Sequence, residues 1–530
     1  MTTPDSLLHD YRASDKYGER TRLDSAYNPL YSFRLPKGED RHYAQQFADM
    51  YFLRLHKLKP VVEAIASREW EDFEIAGERA NQVARVLDVR QGELSWVVGT
   101  TYIDLPLKPN VLEDVSRDHF IAGPPPRTSY YTTDGEPDIM LEDESGRLRL
   151  VGAMLKQNIM VTGVILAVLG TENANGDFEV LDIHIPDLAD QPARWKRDDE
   201  DLEQDGQKQM VRPVKQGKKI ALVSGLEVSG TSADNLALSL LSEYLLGEAL
   251  DDDDQDNTTN ISRLMIVGNS IASDVISDIP TEEIRKPNQK KYGYDSSAYN
   301  PAPTLTLDNF ISELLPTIPV TIMAGEYDPT TYGLPQQPIH AAMFPHSRTF
   351  ACPNVNAPEE DEPGWFDSVT NPWDGDVEGW RFLGNSGQPM DDILKYVDLG
   401  GPDGKDAEGR LEVMESMLRW RNSAPTAPDT LWSYPFQERD PFVMSKCPHV
   451  FFVGNQPRFD TTIVEGDKGQ SVRLLTIPRF RETGQLVLLD TETLEAELVQ
   501  FDVIGLDEQA TMTVNGTSSQ HTSDAEMGDD

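Results

Sequence analysis

The sequence predicts a protein of mixed class, α/β and β: a small closed β-barrel joined to a larger domain whose sheet carries helices on both faces. Three observations lead there. Residues 94–186 consist of short apolar-alternating runs split by turn formers, which suits a small barrel. Beyond residue 218, apolar strand runs alternate with helical patterns, which argues for a helix-covered sheet. A charged stretch, "DQPARWKRDDEDLEQDGQKQ" at 190–209, separates the two. A chain of 530 residues is also too long for one compact core.

Taken in order, residues 1–38 mix charge, Pro and Tyr without periodicity and are expected to form a flexible N-terminus. Residues 39–70 form a helical segment. Phe47, Met50, Tyr51 and Leu55 recur there at helical spacing, and Pro60 is expected to end or kink the helix. The barrel domain spans 71–190. "LSWVVGTTYI" is a strand, and "DIMLEDESGRLRLVG" a hairpin around Glu144-Ser145-Gly146. "VTGVILAVLG" and "FEVLDIHI" flank the turn-forming "TENANGD". Such a barrel is of the oligonucleotide-binding type, a fold that does not itself imply nucleic-acid binding. Its strands lack the interleaved Lys, Arg and aromatic residues that stacking on bases requires.

A charged linker follows at 191–210, then the α/β domain at 211–510. "KKIALVSG" and "RLMIVGNS" read as strands. "ADNLALSLLSEYLLGEAL" reads as a helix with Leu236, Leu240 and Tyr244 on one face. "DDDDQDNTTN" reads as an exposed acidic loop, and "TLDNFISELLPTI" as a helix leading into the strand "IPVTI". "HVFFVGNQPRF" and "VRLLTIPRF" supply later strands. Residues 511–530, ending "SDAEMGDD", have the composition of an acidic disordered tail.

Composition narrows the function. The net charge of −43, from 47 basic and 90 acidic side chains, disfavours a broad DNA-binding face, because phosphate contacts need Lys and Arg. A partner bearing positive charge is the more natural expectation, although acidic runs also serve solubility. The basic exceptions are Arg212, Lys215, Lys218 and Lys219, and Arg285, Lys286, Lys290 and Lys291. Cys352 and Cys447 are the only cysteines, so a disulfide framework or Cys-based metal site is excluded, and a reducing compartment is expected. The N-terminus has no signal-peptide pattern, and the longest apolar stretch, "MVTGVILAVLG", falls far short of a membrane span.

In an open α/β sheet, functional residues sit on loops at the carboxyl ends of strands. Those loops read "VSGLEVSG" (223–230), "VGNSIASD" (267–274), "AGEYDP" (324–329) and "VGNQPRF" (453–459). A two-metal phosphoesterase presents Asp-x-His, Gly-Asp, Gly-Asn-His-Asp and Gly-His-x-His in such places, since carboxylates and imidazoles must hold paired cations and activate water. Here the glycines remain and the ligands are gone. Gly225 and Glu227 stand for Asp and His, and Asn269 stands for Asp. Glu326 and Tyr327, ahead of Asp328, stand for Asn and His, while Asn455 and Pro457 stand for two histidines. No catalytic residue, metal or cofactor is expected. There is no GxxxxGK[ST] loop and no HExxH. Gly268–Ala272 is only a faint nucleophile-elbow match, and His340 and His346 are ordinary loop histidines.

The same residues carry a family resemblance. "VVGTTY", "LPLKPNVLEDVS", "LVSGL", "GEYDPTTYGLPQQPIHAAMFP", "VTNPW", "RFLGNSGQPMDDILKY", "SAPTAPDTLWSYPF" and "CPHVFFVGNQPRF" occur in that order over roughly residues 40–510. On them the chain resembles the small, non-catalytic B subunits of replicative DNA polymerases, closest to those of DNA polymerase delta. The resemblance implies an oligonucleotide-binding barrel joined to an inactivated calcineurin-like phosphodiesterase domain. It also implies a nuclear accessory subunit of DNA replication and repair, linking the C-terminal metal-binding module of the catalytic subunit to a further regulatory subunit. In some eukaryotes the polymerase zeta catalytic subunit is a partner as well. DNA would be met only indirectly. The Asp-rich loop at 250–257 and "VNAPEEDEPGW" at 355–365 depart from the pattern.

"YGLPQQPIHAAMFP" has the stiff, aromatic character of a preorganised contact, and Tyr332, Phe344 and Phe459 are the candidate partner contacts. The same rings would equally serve to pin the loop to its own domain. Three functions stay open on the residues alone: polymerase scaffold, atypical metal-dependent phosphoesterase, and independent single-strand binder.

Overall fold

The computed structural model describes residues 22, 25–41, 47–75, 77–109, 127–132, 137–194, 217–248, 252–272, 300–351, 363–397 and 407–501. The acidic tail, most of the linker and the basic residues at 285–291 lie outside them.

Helix α1 (Ala48–Glu69) forms because Met50, Arg54, Leu55, Leu58, Val62 and Ala66 recur every three or four residues and give it one buried face. Pro60 does not end it, and the helix continues to Glu69. Pro60 and His56 lie on the exposed side, so the carbonyl that loses its hydrogen bond to Pro60 can be hydrated while the opposite face stays packed. That face lies on a barrel. After a short hairpin, β2 (Glu74–Ile75) with β3 (Glu78–Arg79), the barrel runs through β4 (Asn81–Gln82), β5 (Leu94–Asp104), β6 (Asp138–Glu142), β7 (Arg147–Val151), β8 (Ile165–Glu172) and β9 (Phe178–His184). The strand order is β4-β5-β6-β7-β9-β8, and antiparallel pairing of Leu94–Thr100 with Ile165–Thr171 closes the sheet on itself. Closure leaves few free edges.

The second domain begins with β10 (Lys219–Val223), followed by α2 (Ser232–Leu246), α3 (Asp252–Thr259), β11 (Ile261–Val267), α4 (Ala302–Leu314), β12 (Val320–Met323) and β13 (Phe366–Val369). Next come β14 (Trp373–Val377), β15 (Trp380–Asn385), α5 (Gln388–Leu394), α6 (Ala407–Arg419), β16 (Val450–Gln456), β17 (Asp460–Glu465) and β18 (Ser471–Pro478). The described part of the domain finishes with α7 (Phe480–Thr483), β19 (Gln485–Asp490) and β20 (Ala496–Gln500).

Two stacked sheets, rather than the single expected one, make up this domain. One is ordered β13-β12-β11-β10-β19-β20, the other β1-β14-β15-β16-β18-β17, with β1 (Tyr27–Pro29) contributed by the N-terminus. Alternation decides the layers. Ile220, Leu222, Met265 and Val267 face Phe382, Val450, Phe452, Leu475 and Ile477 in a core between the sheets. Ala221, Val223, Leu264 and Ile266 face outward under α2 and α4. Phe451, Val453 and Leu474 face the other way, toward α6 and the barrel. The strands therefore read as unbroken apolar runs, a pattern that cannot say whether a helix or a second sheet covers each face.

Three local expectations change. The buried stripe of α2 is Leu238, Leu241 and Leu245, while Leu236 is exposed and Leu240 and Tyr244 sit at the flank. The acidic run at 252–259 is a helix, α3, rather than a loop. Within the N-terminal 38 residues, 25–38 are built into the fold: β1 pairs antiparallel with β14, and Phe33 is buried in the core. Arg22 also caps helix ends, donating from Nη1 to the Thr258 carbonyl at 2.8 Å and from Nη2 to that of Leu245.

Barrel and α/β domain share one continuous core. Val97, Leu141 and Phe178 of the barrel belong to the same buried cluster as Val413, Met417 and Phe442. Arg54 of α1 crosses the junction, ion-pairs with Asp440 at 2.9 Å, and donates to the carbonyls of Pro425 and Ala427. Gly163, at φ +92°, brings the barrel so close that any Cβ there would strike the Pro425 carbonyl.

Candidate functional site

The four loops singled out in the sequence converge at the carboxyl ends of β10, β11, β12 and β16. Gly225 N donates to the Gly268 carbonyl at 3.0 Å, and Glu227 N to that of Asn269 at 2.9 Å. Asn455 N donates to Ser224 Oγ at 2.9 Å, and Tyr327 N to Asn269 Oδ1 at 3.4 Å. Glu227, Asn269 and Asn455 all take positive φ, as does Gly225 at +61°. At Gly225 a Cβ would lie 2.9 Å from the Cα of Arg479, so an Asp there would have no room. Pro457 is half-buried beyond Gln456 and offers no side-chain donor. The loops thus meet where the sequence pattern places them, and their chemistry follows from the residues that stand there.

Among the described residues of these loops Asp328 is the one buried carboxylate, and its oxygens are already engaged. Oδ2 accepts from Ser270 N at 3.1 Å and Gly325 N at 2.8 Å, and Oδ1 from Ile271 N at 2.9 Å. Burial nonetheless pushes its carboxyl up to about 6, because loss of solvation outweighs those amides. Glu326 and Tyr327 are exposed. Glu227 is half-buried, and its carbonyl accepts from Arg481 Nη1. Among the described residues no three His, Cys, Asp or Glu side chains come together as a donor set for a metal. The residues present do not fit a dinuclear centre: Gly225 and Pro457 lack donors, and Asp328 is turned onto backbone amides.

What fills the place is a neutral network that residue-by-residue reading missed. Asn371 Nδ2 lies 2.8 Å from Gln336 Oε1, 2.8 Å from Ser386 Oγ and 2.9 Å from Gln388 Oε1. Its Oδ1 accepts from Ser386 N at 3.0 Å. Gln388 Nε2 donates to Gln336 Oε1 at 2.9 Å, and Gln336 Nε2 to the Gly325 carbonyl at 3.0 Å. Gln336, Asn371 and Ser386 are all buried. These side chains come from "LPQQP", "VTNPW" and "GNSGQP", three motifs visible in the sequence with nothing there to join them. Each bond contributes only about 1 kcal/mol net, but an orphaned buried partner costs about 1–3 kcal/mol, so the network locks the loops together. Gln337, the adjacent glutamine, faces the N-terminal segment: its Oε1 accepts from Leu35 N at 3.1 Å and its Nε2 donates to the Phe33 carbonyl at 3.3 Å.

The three rings expected to be partner contacts separate. Phe344 is fully buried, stacked edge-on against Phe366 with centroids 5.1 Å apart, and is a core residue. Phe459 is partly buried against the core between the sheets. Tyr332 is 73% exposed and pairs with Trp432, itself 67% exposed, at a centroid distance of 6.4 Å. Nothing in the sequence pattern singles out Trp432. It is held by the pairing of Leu334 with Ser433, in which Leu334 N donates to the Trp432 carbonyl at 2.8 Å.

Ser270 is fully buried. His340 Nδ1 accepts from Ala342 N within its own turn, and both His340 and His346 are exposed. Lys218 pairs with Glu378 and Lys219 with Glu497; Arg212, Lys215 and the 285–291 cluster lie outside the described residues.

Comparison with known proteins agrees with this architecture. Residues 46–183 match the family model of the DNA polymerase delta subunit OB-fold domain. Residues 220–461 match the family model of the B subunits of DNA polymerases alpha and epsilon. The DNA polymerase delta small subunit of Saccharomyces cerevisiae is 35% identical over 507 residues, covering 91% of this chain and 96% of that protein. The Arabidopsis thaliana small subunit is 34% identical, covering 92% and 98%. DNA polymerase delta subunit 2 of Drosophila melanogaster is 30% identical, covering 91% and 99%. With an OB-fold barrel, a B-subunit domain and relatives aligned over nine-tenths of its length, the chain belongs to the family of DNA polymerase delta small subunits.

Proposed function

We propose that this accessory, non-catalytic subunit is the scaffold of the polymerase delta holoenzyme. It joins the C-terminal module of the catalytic subunit to a further regulatory subunit, in replication and repair within the nucleus. The same surfaces would let it serve the polymerase zeta catalytic subunit. The observation that carries the reading is the uncharged Gln336–Asn371–Ser386–Gln388 network at the meeting point of the strand-end loops. A calcineurin-like phosphodiesterase that lacks donor side chains at Gly225 and Pro457, and whose loops are tied together by uncharged amides and a hydroxyl, has given up hydrolysis and kept a rigid loop surface. Preorganised surfaces bind well because little conformational entropy is lost on association. The continuous core shared by barrel and α/β domain supports the same reading, since a linker between subunits must itself be stiff.

The test is reconstitution from purified proteins. The catalytic subunit and the further subunit should copurify only when this chain is present. Without it the catalytic subunit should still extend primers, with shorter products per binding event. Stoichiometric copurification in its absence would overturn the scaffold role. Manganese-dependent phosphodiester hydrolysis that co-elutes with the chain and vanishes in a folded Asp328→Ala variant would support the phosphoesterase alternative instead.

A further inference from the structure

Beside the loop cluster lies a pocket of about 110 Å³, walled by Glu326, Leu334, Gln388, Asp391, Asp392 and Lys395. Tyr332 and Trp432 also line it and form its rim as an edge-on pair that projects into solvent. Exposed large aromatics on a soluble surface mark contact sites when they frame a concavity. The hydrogen bonds between Leu334 and the 432–434 segment fix that frame in advance: Leu334 N donates to the Trp432 carbonyl, and Tyr434 N to that of Leu334, each at 2.8 Å.

The charges of the wall are unequally used. Asp392 is committed, accepting from Tyr130 at 3.0 Å and from Thr430 at 2.6 Å, with the Lys395 ammonium 3.9 Å away. The carboxylates of Glu326 and Asp391 accept no hydrogen bond and form no ion pair among the described residues. Desolvation dominates at Asp391 and pushes its carboxyl up to about 6, with Glu326 adding to the rise, while Arg410, Arg479 and Lys395 favour its charged form and offset it only in part.

We propose that the pocket receives a basic side chain, Lys or Arg, from a partner polypeptide. The cation would sit between the Tyr332 and Trp432 rings and the free carboxylates of Glu326 and Asp391. Rings supply cation–π attraction and carboxylates supply charge-assisted hydrogen bonds, a combination that suits no anionic or purely apolar occupant. The chain's net charge of −43 would draw such a partner in from a distance. In naming a polypeptide as the source of the cation, the inference rests on the scaffold reading.

The full chain, labelled with 5-fluorotryptophan, provides the test, its Trp432 resonance being assigned with Trp432→Phe. The probe is the capped tripeptide Gly-Arg-Gly, and the control replaces Arg with citrulline, its uncharged isostere. A saturable shift of the Trp432 resonance with the Arg peptide, absent with citrulline, is expected. Asp391→Asn should weaken binding about tenfold or more, and Tyr332→Ala, at an exposed position, should weaken it without altering the melting temperature. No saturable shift, or equal shifts from both peptides, overturns the proposal. Copurification of the polymerase subunits is scored separately. If they copurify and the peptide does not bind, the pocket assignment falls and the scaffold stands; if the peptide binds in an Asp391-dependent way without copurification, the pocket stands and the scaffold falls.

Discussion

Asp328 and Asp391 flank the same loops, and burial raises both carboxyls against different opposing groups. Asp328 accepts three backbone amides and is still raised, because burial outweighs them. Asp391 accepts none among the described residues, and the nearby Arg410, Arg479 and Lys395 only partly offset its desolvation. A carboxyl whose folded pKa exceeds its unfolded value binds its proton more tightly in the native state. Its ionisation therefore subtracts stability as pH rises from about 4 to about 6. Asp391→Asn removes the charge without stranding a hydrogen-bond donor. It should raise the melting temperature at pH 7.5 and make little difference at pH 4, when wild-type Asp391 is itself neutral. Melting curves across that range, for wild type and variant in the same buffers, check the sign. A difference independent of pH would mean that Asp391 does not titrate in this window. Asp328→Asn is a poorer probe, since an amide nitrogen would face backbone N–H groups that now donate to carboxylate.

Helix α1 shows how one element holds two domains. Its apolar stripe lies on the barrel, while Arg54, buried in the same face, reaches Asp440 and the Pro425 and Ala427 carbonyls of the α/β domain. Both ends of the ion pair are only 1% exposed. Removing one partner leaves a buried charge uncompensated, so Asp440→Ala should cost about 3–5 kcal/mol in urea denaturation. The variant should also lose stability throughout the molecule rather than in one domain. A cost below about 1 kcal/mol, or two separated transitions with only one shifted, would show that the junction is not cooperative. The sequence made α1, the barrel strands and most α/β strands legible, because hydrophobic period is a local signal. It could not show that Arg54 is a core residue, since Arg on an amphipathic helix ordinarily reads as solvent-facing. The two-sheet stacking was hidden for a related reason: β10, β11 and β16 are buried on both faces, and a continuous apolar run does not identify its covering. At the site, the lack of a donor side chain at Gly225 and at Pro457 was legible one residue at a time. The amide network was not, because it joins Gln336, Asn371 and Gln388 across three segments whose proximity only the fold creates.

At the scale of the whole molecule, charge and shape bear on the DNA that a polymerase subunit works beside. The OB-fold barrel invites a nucleic-acid reading, yet its described strands spend their basic residues internally. Arg147 pairs with Glu142 and Arg149 with Asp138 along the β6–β7 hairpin. Lys218 and Lys219, at the entry to β10, are likewise paired with Glu378 and Glu497. Exposed pairs of this kind contribute little to stability, but each lowers the net positive charge offered to phosphate. Binding without sequence preference depends on neutralising several phosphates at once, and a chain with net charge −43 opposes that at long range. The isolated chain should therefore bind a fluorescein-labelled single-stranded oligonucleotide of about 30 nucleotides with a Kd no tighter than about 10 µM at physiological salt. Fluorescence anisotropy titrations at several salt concentrations measure both the affinity and its dependence on ionic strength. Submicromolar binding with a steep salt dependence would mean that a basic surface exists in the full chain, and would favour an independent single-strand binder over the scaffold. Weak binding by the isolated chain, joined to tight binding by the reconstituted holoenzyme, would place the DNA contact on the other subunits. This chain's part would then be to position them.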